Sequence, residues 1–504
     1  YGLQPLGYYN VSVVSTLKQQ KDQSWLAHYE VTPGEQVIIT ELKIDVTGPG
    51  KDDPEIKALI EAFSIKLGEP FHHAEYEDAK SDITIKIGRI GYSKVSTHTK
   101  RVIVDPKKNS AKINIKFVSG PKYYLGAIHF HQDMLEEEFI LSYLKNIKIG
   151  DPLAYDKLVE LQHTLYSSGY FSLVDVKPDF DNVVNTDQVP VDITLQPGNR
   201  HKLSFGVGYD TEIEANVSAR WNLRRLNRYG HYADIVTKLS PKKSDIRASY
   251  WIPAGDPRTD KYGIIMALEK EDTDSTDRST FDLEVNYLFE IKAEKENRRR
   301  TNHWQNSIFA EYKLEDFTTG NNPSTSTQLF SMGARTQRIE MEDTPYPRKG
   351  WAMFGELRGS AYISDTDYLR LYFKSRLLLP IADNGRIIFR GELGLAETND
   401  YDQYPSSLRF YAGGDQSVRG YRWKALGPTD KEGNVIGGRN VVTGSIEYDH
   451  QITETWVAAG FIDAGNAFND QLDTIYYGAG VGARYISPIG LIKADLGIPL
   501  KKDD

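Results

Sequence analysis

Few residues in this chain are spaced for catalysis or for metal binding. The sequence contains no cysteine, which excludes thiolate metal sites, cysteine nucleophiles and disulfides. It also lacks a Gly-x-Ser-x-Gly elbow, a Gly-Lys-Ser/Thr phosphate loop and a His-Glu-x-x-His zinc motif. His129 and His131 share one face of a predicted strand, as two metal ligands would, but no third ligand is predicted beside them. We therefore predict no catalytic residue, no cofactor and no metal.

One segment combines charge with an unusual density of glycine. It runs from Arg409 to Tyr421 and reads RFYAGGDQSVRGY. Gly413, Gly414 and Gly420 allow tight backbone turns that other residues rarely adopt. A buried arginine in such a segment would need charged, bidentate partners, because the guanidinium keeps its proton under all ordinary conditions.

Length and composition limit the classes of protein to which this segment can belong. The chain has 504 residues, so two or more folding units are expected. Its 31 Tyr, 19 Phe and 7 Trp are too many for a disordered chain. No apolar run approaches the ~18 residues of a spanning helix. The net charge of −9 argues against a nucleic-acid partner. What remains is a multi-domain chain that is either soluble or a membrane β-barrel.

The first two hundred residues contain a threefold repeat. Each copy has an aromatic turn, two predicted strands and a glycine exit, and the copies lie roughly eighty residues apart, a plausible domain size. Full copies are predicted as strand–helix–helix–strand–strand, or βααββ, with Pro54 beginning a helix after a capping aspartate. The predicted domains are a partial first repeat at 1–34, a second repeat at 35–120 and a third at 121–199. These repeats are either simple packing modules or docking modules whose sheet edge accepts a strand from a partner.

From residue 200 to residue 504 the hydrophobic pattern has a period of two. Phe281, Leu283 and Val285 alternate with polar residues, as on a sheet with two different faces. We count about fifteen strands of about 8–13 residues with no helical crossover, and one long polar connection at 398–440. A soluble sandwich also alternates, but so many consecutive strands need closure to avoid exposed edges. The pattern therefore favours a transmembrane antiparallel β-barrel.

Two motifs in this region carry a resemblance to a known family. Val418-Arg419-Gly420-Tyr421, with the later Phe461-x-Asp463-x-Gly465, resembles the outer-membrane assembly superfamily, which includes BamA, TamA and the two-partner-secretion translocators. The resemblance covers nearly the whole chain, as POTRA (polypeptide-transport-associated) repeats followed by a barrel of sixteen strands in the family. It is closest to the TamA members, the outer-membrane subunits of the translocation and assembly module.

The resemblance implies a structural role for the glycine-rich segment. The long loop would fold into the barrel lumen on its turns at Gly413 and Gly414, and Arg419 would meet Glu447 and Asp463 on the inner wall. The pattern agrees for one of these carboxylates. Glu447 lies between Ile446 and Tyr448, so it faces the opposite side of its strand from both apolar neighbours.

The resemblance also implies a function in the bacterial outer membrane, with the repeats in the periplasm. The barrel would help to insert or translocate β-barrel and autotransporter proteins among outer-membrane lipids, through a weak seam beside the first strand. A TamB-like periplasmic protein anchored in the inner membrane would bind the first repeat. A two-partner-secretion translocator and a role in lipid transport between membranes stay open as alternatives. The seam residues are Leu203, Phe205, Val207 and Tyr209.

Strand parity leads to a further expectation. Bacterial single-chain barrels have even strand numbers, so fifteen strands would leave the carboxyl terminus on the outer face. The last predicted strand lies near Leu491–Ile498, followed by a polar tail. We therefore expect the natural protein to continue by a closing sixteenth strand.

Overall fold

A computed structural model describes residues 2–20, 24–144, 147–273, 276–291, 304–360, 362–488 and 490–501. The chain divides into two compact units, Tyr1–Gly198 and Asn199–Asp504. The domain boundary predicted at residue 200 lies next to this division. Within the described ranges, no helix is both long enough and apolar enough to cross a bilayer.

The second repeat has the predicted βααββ order. Its three-stranded sheet is arranged β3-β5-β4, with β3 parallel to β5, and both helices cover one face. Asp53 caps the first helix, since its Oδ1 accepts the Glu55 backbone N–H at 2.8 Å. The elements are β3 (Ile38–Thr47), α1 (Pro54–Glu61), α2 (His73–Arg89), β4 (Ser96–Asp105) and β5 (Ser110–Val118).

The third repeat has the same topology, with the sheet order β6-β8-β7. Its elements are β6 (Tyr124–His131), α3 (Glu137–Leu141), α4 (Tyr155–Ser167), β7 (Phe171–Pro178) and β8 (Gln188–Pro197). The first repeat contributes the hairpin of β1 (Ser12–Gln19) and β2 (Trp25–Thr32). The glycines of the three aromatic turns, Gly7, Gly91 and Gly169, have φ values of 86°, 104° and 75°. This shared left-handed turn explains why the glycine recurs in each copy.

The histidine pair of the third repeat has a neighbour that the sequence did not predict. Asp192 on β8 places its Oδ1 3.4 Å from His129 Nδ1 and 3.1 Å from His131 Nε2. Across the described part of the chain, no group of three or more His, Cys, Asp and Glu side chains is arranged to hold a metal ion. His129, His131 and Asp192 lie together on the surface of the third repeat.

The second unit is one antiparallel sheet in which each strand pairs with its neighbours in sequence. The fifteen strands counted from the sequence are all present, and β14, β15 and β16 have 16, 16 and 17 residues, more than predicted. The strands are β9 (His201–Asp210), β10 (Glu214–Leu223), β11 (Tyr232–Leu239), β12 (Lys243–Pro253), β13 (Lys261–Asp272), β14 (Thr276–Ile291), β15 (Trp304–Thr319), β16 (Thr325–Met341), β17 (Gly350–Ser360), β18 (Tyr368–Ile381), β19 (Gly385–Thr398), β20 (Asn440–Gln451), β21 (Trp456–Phe468), β22 (Tyr476–Ser487) and β23 (Gly490–Pro499).

The sheet has two free edges. In the strand order of the described residues, β9 and β23 stand at opposite ends and do not pair with each other. An open edge beside β9 is what the expectation of a further closing strand requires, and that expectation stays a prediction.

Burial on this sheet is reversed relative to a soluble sandwich. On β20, Ile446 and Tyr448 are exposed, while Glu447 and Asp449, which alternate with them, are buried. The buried face carries ion pairs between strands, such as Arg358 Nη1 to Glu311 Oε2 at 2.9 Å. An apolar outer face around a charged interior is the arrangement of a transmembrane barrel. The predicted fold class is therefore confirmed.

Candidate functional site: the lumenal loop and its anchor

The long connection between β19 and β20 is an ordered insert with its own apolar centre. Tyr404, Phe410, Val418 and Leu426 are all buried, and they pack against inward-facing wall residues such as Tyr368. Backbone bridges join Phe410 to Gly438 and Ala412 to Leu426. The loop therefore folds back inside the sheet, as the family resemblance implies.

Arg419 lies at the point where this loop contacts the wall. Its Nε donates to Asp463 Oδ2 at 2.7 Å, its Nη2 donates to Asp463 Oδ1 at 3.0 Å, and its backbone N–H donates to the same carboxylate. Its Nη1 donates to Glu447 Oε2 at 2.6 Å. The guanidinium also stacks on the Phe461 ring. Arg419 thus contacts both carboxylates that were predicted as its partners.

Two further residues extend this network, and sequence reasoning missed both. Asp495 on β23 accepts from Arg419 Nη1 at 3.2 Å, and Arg484 on β22 donates to Glu447 Oε1 at 2.9 Å. Arg484 also donates to Asp495, so the charges alternate around a ring. Arg484 and Asp495 do occupy inward positions of their strands, but dozens of other polar residues share that property. Only the register in which β20 to β23 pair places these two side chains beside Arg419 and Glu447.

Strand glycines make room for the loop backbone. A Cβ at Gly478 would overlap the carbonyl oxygen of Arg419, and a Cβ at Gly497 would lie 2.8 Å from the Gly420 nitrogen. Gly420 itself has a φ of 97°. The loop can therefore approach β22 and β23 at main-chain distance only because these wall positions carry no side chain.

The other end of the motif contacts the first hairpin of the sheet. The backbone N–H of Asp415 donates to Glu212 Oε1 at 2.9 Å, and Glu212 lies in the turn between β9 and β10. Burial and the adjacent Asp415 carboxyl raise the pKa of Glu212 to about 8. Burial also acts on Asp415, but its hydrogen bonds, first that with Glu212, lower the pKa of Asp415 overall. These opposite shifts favour a protonated Glu212 beside an ionised Asp415, which weakens the repulsion between the loop and the hairpin.

The predicted seam residues lie on the free edge strand. Leu203, Phe205, Val207 and Tyr209 of β9 are 63, 81, 89 and 74 % exposed. In the described sheet β9 pairs with β10 alone. The loop reaches the other edge as well, since the Tyr421 hydroxyl donates to the Lys501 carbonyl beyond β23. Loop and edges therefore form one connected site, with Arg419 at its centre.

Comparison with protein families matches both units. The model described as the Omp85 superfamily domain matches residues 196–504, and the model for the POTRA repeat, described as a surface antigen variable number repeat, matches residues 42–120.

Curated relatives and a solved structure agree with these families. The outer membrane protein assembly factor BamA of Nitratidesulfovibrio vulgaris is 23 % identical over 404 residues, 75 % of this chain and 49 % of that protein. The chain thus spans about half the length of this relative. BamA of Neisseria meningitidis serogroup B is 21 % identical, over 98 % of this chain and 69 % of that protein. The crystal structure of BamA from Haemophilus ducreyi lacking POTRA domains 1–3 shares the fold, with a TM-score of 0.77 at 17 % identity, over 92 % of this chain and 97 % of that one.

The Arg419 network predicts that removal of this charge strongly lowers the stability of the barrel. Arg419→Ala removes the cation that Asp463 and Glu447 share and leaves them only Arg390, at 3.6 Å from Asp463, and Arg484, which is bonded to Glu447. The cost is at most roughly 3–5 kcal/mol, the value for a fully buried network, and less in a wet lumen. Arg419→Lys should recover only part of this, because an ammonium cannot form the bidentate pair. Heat-modifiable gel mobility measures the loss. Lys431→Ala, which removes an exposed cation from the same loop, is the control, and wild-type heat stability of both Arg419 variants would contradict the prediction.

The wall glycines predict a steric effect that involves no charge. Gly478→Ala should displace the loop and lower the melting temperature, because the added Cβ overlaps the Arg419 carbonyl. Gly460→Ala is the matched control on the neighbouring strand β21, where an added Cβ meets no atom within 4 Å. Equal melting temperatures for the two variants would show that the loop does not need this close approach.

Proposed function

The chain belongs to the Omp85 superfamily, and on that premise we propose that it is an assembly factor that helps client β-barrel and autotransporter proteins to enter the bilayer. It is an outer-membrane β-barrel protein whose POTRA repeats lie in the periplasm. The assembly role requires no bond chemistry, in keeping with a site that consists of a buried ion network, a plug-like loop and a free strand.

The edge strand β9, which pairs with β10 alone among the described residues, is the observation that carries this proposal. A closing strand that pairs only weakly with β9 would leave this edge available to a client strand. A β-strand that enters lipid with unpaired N–H and C=O groups loses several kcal/mol for each unsatisfied group. A client strand that pairs with β9 satisfies these groups as it leaves the aqueous phase. The outer face of β9 is apolar from Leu203 to Tyr209, so the paired client strand would stand beside lipid-compatible side chains.

The loop supplies the second requirement, which is a barrel that keeps its shape while one edge is open. The hydrogen bond from Asp415 to Glu212 holds the β9–β10 hairpin, and the Arg419 network holds β20 to β23. Both edges are therefore fixed to the same loop, and the gap between them can admit a strand without unfolding of the wall.

Cysteine crosslinking tests the proposal cleanly, because the chain contains no cysteine of its own. Ser204→Cys places one thiol on β9, and Ser218→Cys places a matched thiol on the same sheet face of β10, one strand further from the edge. A client strand paired with β9 should form a disulfide with the first variant only, because two strand spacings, about 10 Å, exceed disulfide reach.

The crosslinking result also separates the alternatives. A stalled client with a single cysteine in its last strand should crosslink at residue 204 during insertion into vesicles, and hardly at residue 218. Equal crosslinking at both positions would favour a translocator in which the client passes through the lumen, and would reject the assembly role.

We further propose the TamA-type role within the superfamily, with a TamB-like periplasmic partner anchored in the inner membrane. In the described part of the chain, β1 and β2 pair only with each other. A strand edge in the first repeat is suited to pairing with an extended partner.

Deletion of the residues before Glu35 should abolish capture of this partner and leave the barrel folded. Crosslinking in intact envelopes measures capture, and heat-modifiable mobility measures the barrel. Tyr166→Ser removes a comparable exposed aromatic from the third repeat and serves as the control. If the deleted protein still crosslinks to the same partner, the docking surface lies on a later repeat.

A further inference from the structure

A cationic cavity lies below the loop, inside the sheet. Its volume is about 1080 Å³, and the strands that line it include β18, β19, β20, β22 and β23. Arg376, Arg390, Arg419, Arg484 and Lys493 all contribute to its wall. A cavity of this size and charge has room for a ligand. Neither the anchoring of the loop nor the pairing of a client strand at the edge accounts for such a cavity.

Two pairs of like charges stand directly opposite each other on neighbouring strands of this wall. Arg376 on β18 is the cross-strand partner of Arg390 on β19, and Arg484 on β22 is the partner of Lys493 on β23. Opposed like charges destabilise a sheet unless other groups compensate them. Such an arrangement, present twice at one cavity, needs a physical explanation.

In each pair one cation is compensated and the other is not. Arg484 contacts Glu447 and Asp495, and Arg390 lies 3.6 Å from Asp463 and donates to Ser445. With Arg419, these two arginines balance the three carboxylates of the anchor. Among the described residues, the side chains of Arg376 and Lys493 have neither a hydrogen bond nor an ion pair. Glu447 and Asp449 act on both cations from a distance, but each of these carboxylates is already bonded to another arginine. Two positive charges in the cavity therefore lack a directly bonded counterion.

We propose that Arg376 and Lys493 bind a phosphate group in the lumen. A phosphate monoester carries about two negative charges at neutral pH and three strong acceptor oxygens, so it matches two uncompensated cations where a single carboxylate would not. The Arg376 fork binds two oxygens of such a group, and the Lys493 ammonium binds the third. Arg390, which keeps its contact with the loop, completes the positive wall.

The position of Lys493 allows two sources for this phosphate. Lys493 is exposed on the edge strand β23, beside the opening of the sheet. A lipid could place its phosphate in the cavity while its acyl chains remain against the apolar outer face of the edge. A soluble phosphate monoester could enter through the water-filled lumen. The recognition chemistry is the same in both cases.

Titration calorimetry on the full chain in a neutral detergent separates these sources. Glycerol 3-phosphate and dihexanoyl phosphatidic acid present the same headgroup without and with acyl chains. Arg376→Gln and Lys493→Gln should each raise the Kd of the bound ligand by about tenfold, because each removes a charged hydrogen-bond donor. Lys374→Gln is the control, because it removes a lumenal cation of the same strand that is already paired with Glu392.

The outcomes are distinct. Binding of both ligands identifies a general phosphate site, and binding of phosphatidic acid alone identifies a lipid site. Either result supports the proposal if the two variants weaken the binding and the control does not. Absence of binding, unchanged Kd values in the variants, or equally tight binding of glutarate would overturn it. Because Lys493 is exposed, Lys493→Gln decides the matter even if Arg376→Gln fails to fold.

Discussion

The contact between the Arg419 guanidinium and the Asp463 carboxylate is the interaction on which the rest of the site depends. The Asp463 side chain is fully buried and that of Arg419 is nearly so, and two charges so deprived of water are stable only as a pair with satisfied hydrogen bonds. One partner belongs to the loop and the other to the wall. The pair therefore holds some forty residues of polar connection inside the lumen, and it fixes the register at which loop and wall meet.

Close approach of the two backbones makes this pair possible. The Arg419 carbonyl lies against the Gly478 backbone, and Gly420 lies against Gly497. Any side chain at these wall positions would hold the loop away and lengthen the bonds between Arg419 and the wall. Gly478 of β22 and Gly497 of β23 are thus as necessary to the anchor as the arginine, although they carry no functional group.

The proposed assembly role requires a surface at which a client strand can pair, and in this proposal that surface is the edge strand β9. An open edge is ordinarily a liability, because it pairs with whatever strand it meets. The loop limits this risk because it is hydrogen-bonded to both edges of the sheet, to Glu212 on one side and to Asp495 on the other. The same loop contacts therefore stabilise the wall and keep the edge strand in position for pairing.

Local patterns in the sequence predicted the parts of this molecule that follow from chain geometry. Alternation along each strand identified the barrel and the inward side of Glu447, because side chains on a strand must alternate. The repeated glycine and aromatic turn identified the βααββ modules, because only glycine adopts that left-handed turn without strain. The pairing of Arg419 with its two carboxylates came from the family motif, since no local pattern connects residues so far apart.

The tertiary structure decided what depends on register. Arg484 and Asp495 complete the anchor, Arg376 and Lys493 face one cavity, and Asp192 lies beside two histidines, only because particular residues of neighbouring strands stand opposite one another. A shift of one residue in any of these pairings would send each side chain to the other face of the sheet. The sequence by itself therefore determined the faces, and the hydrogen-bonded pairing of the strands determined which residues meet on them.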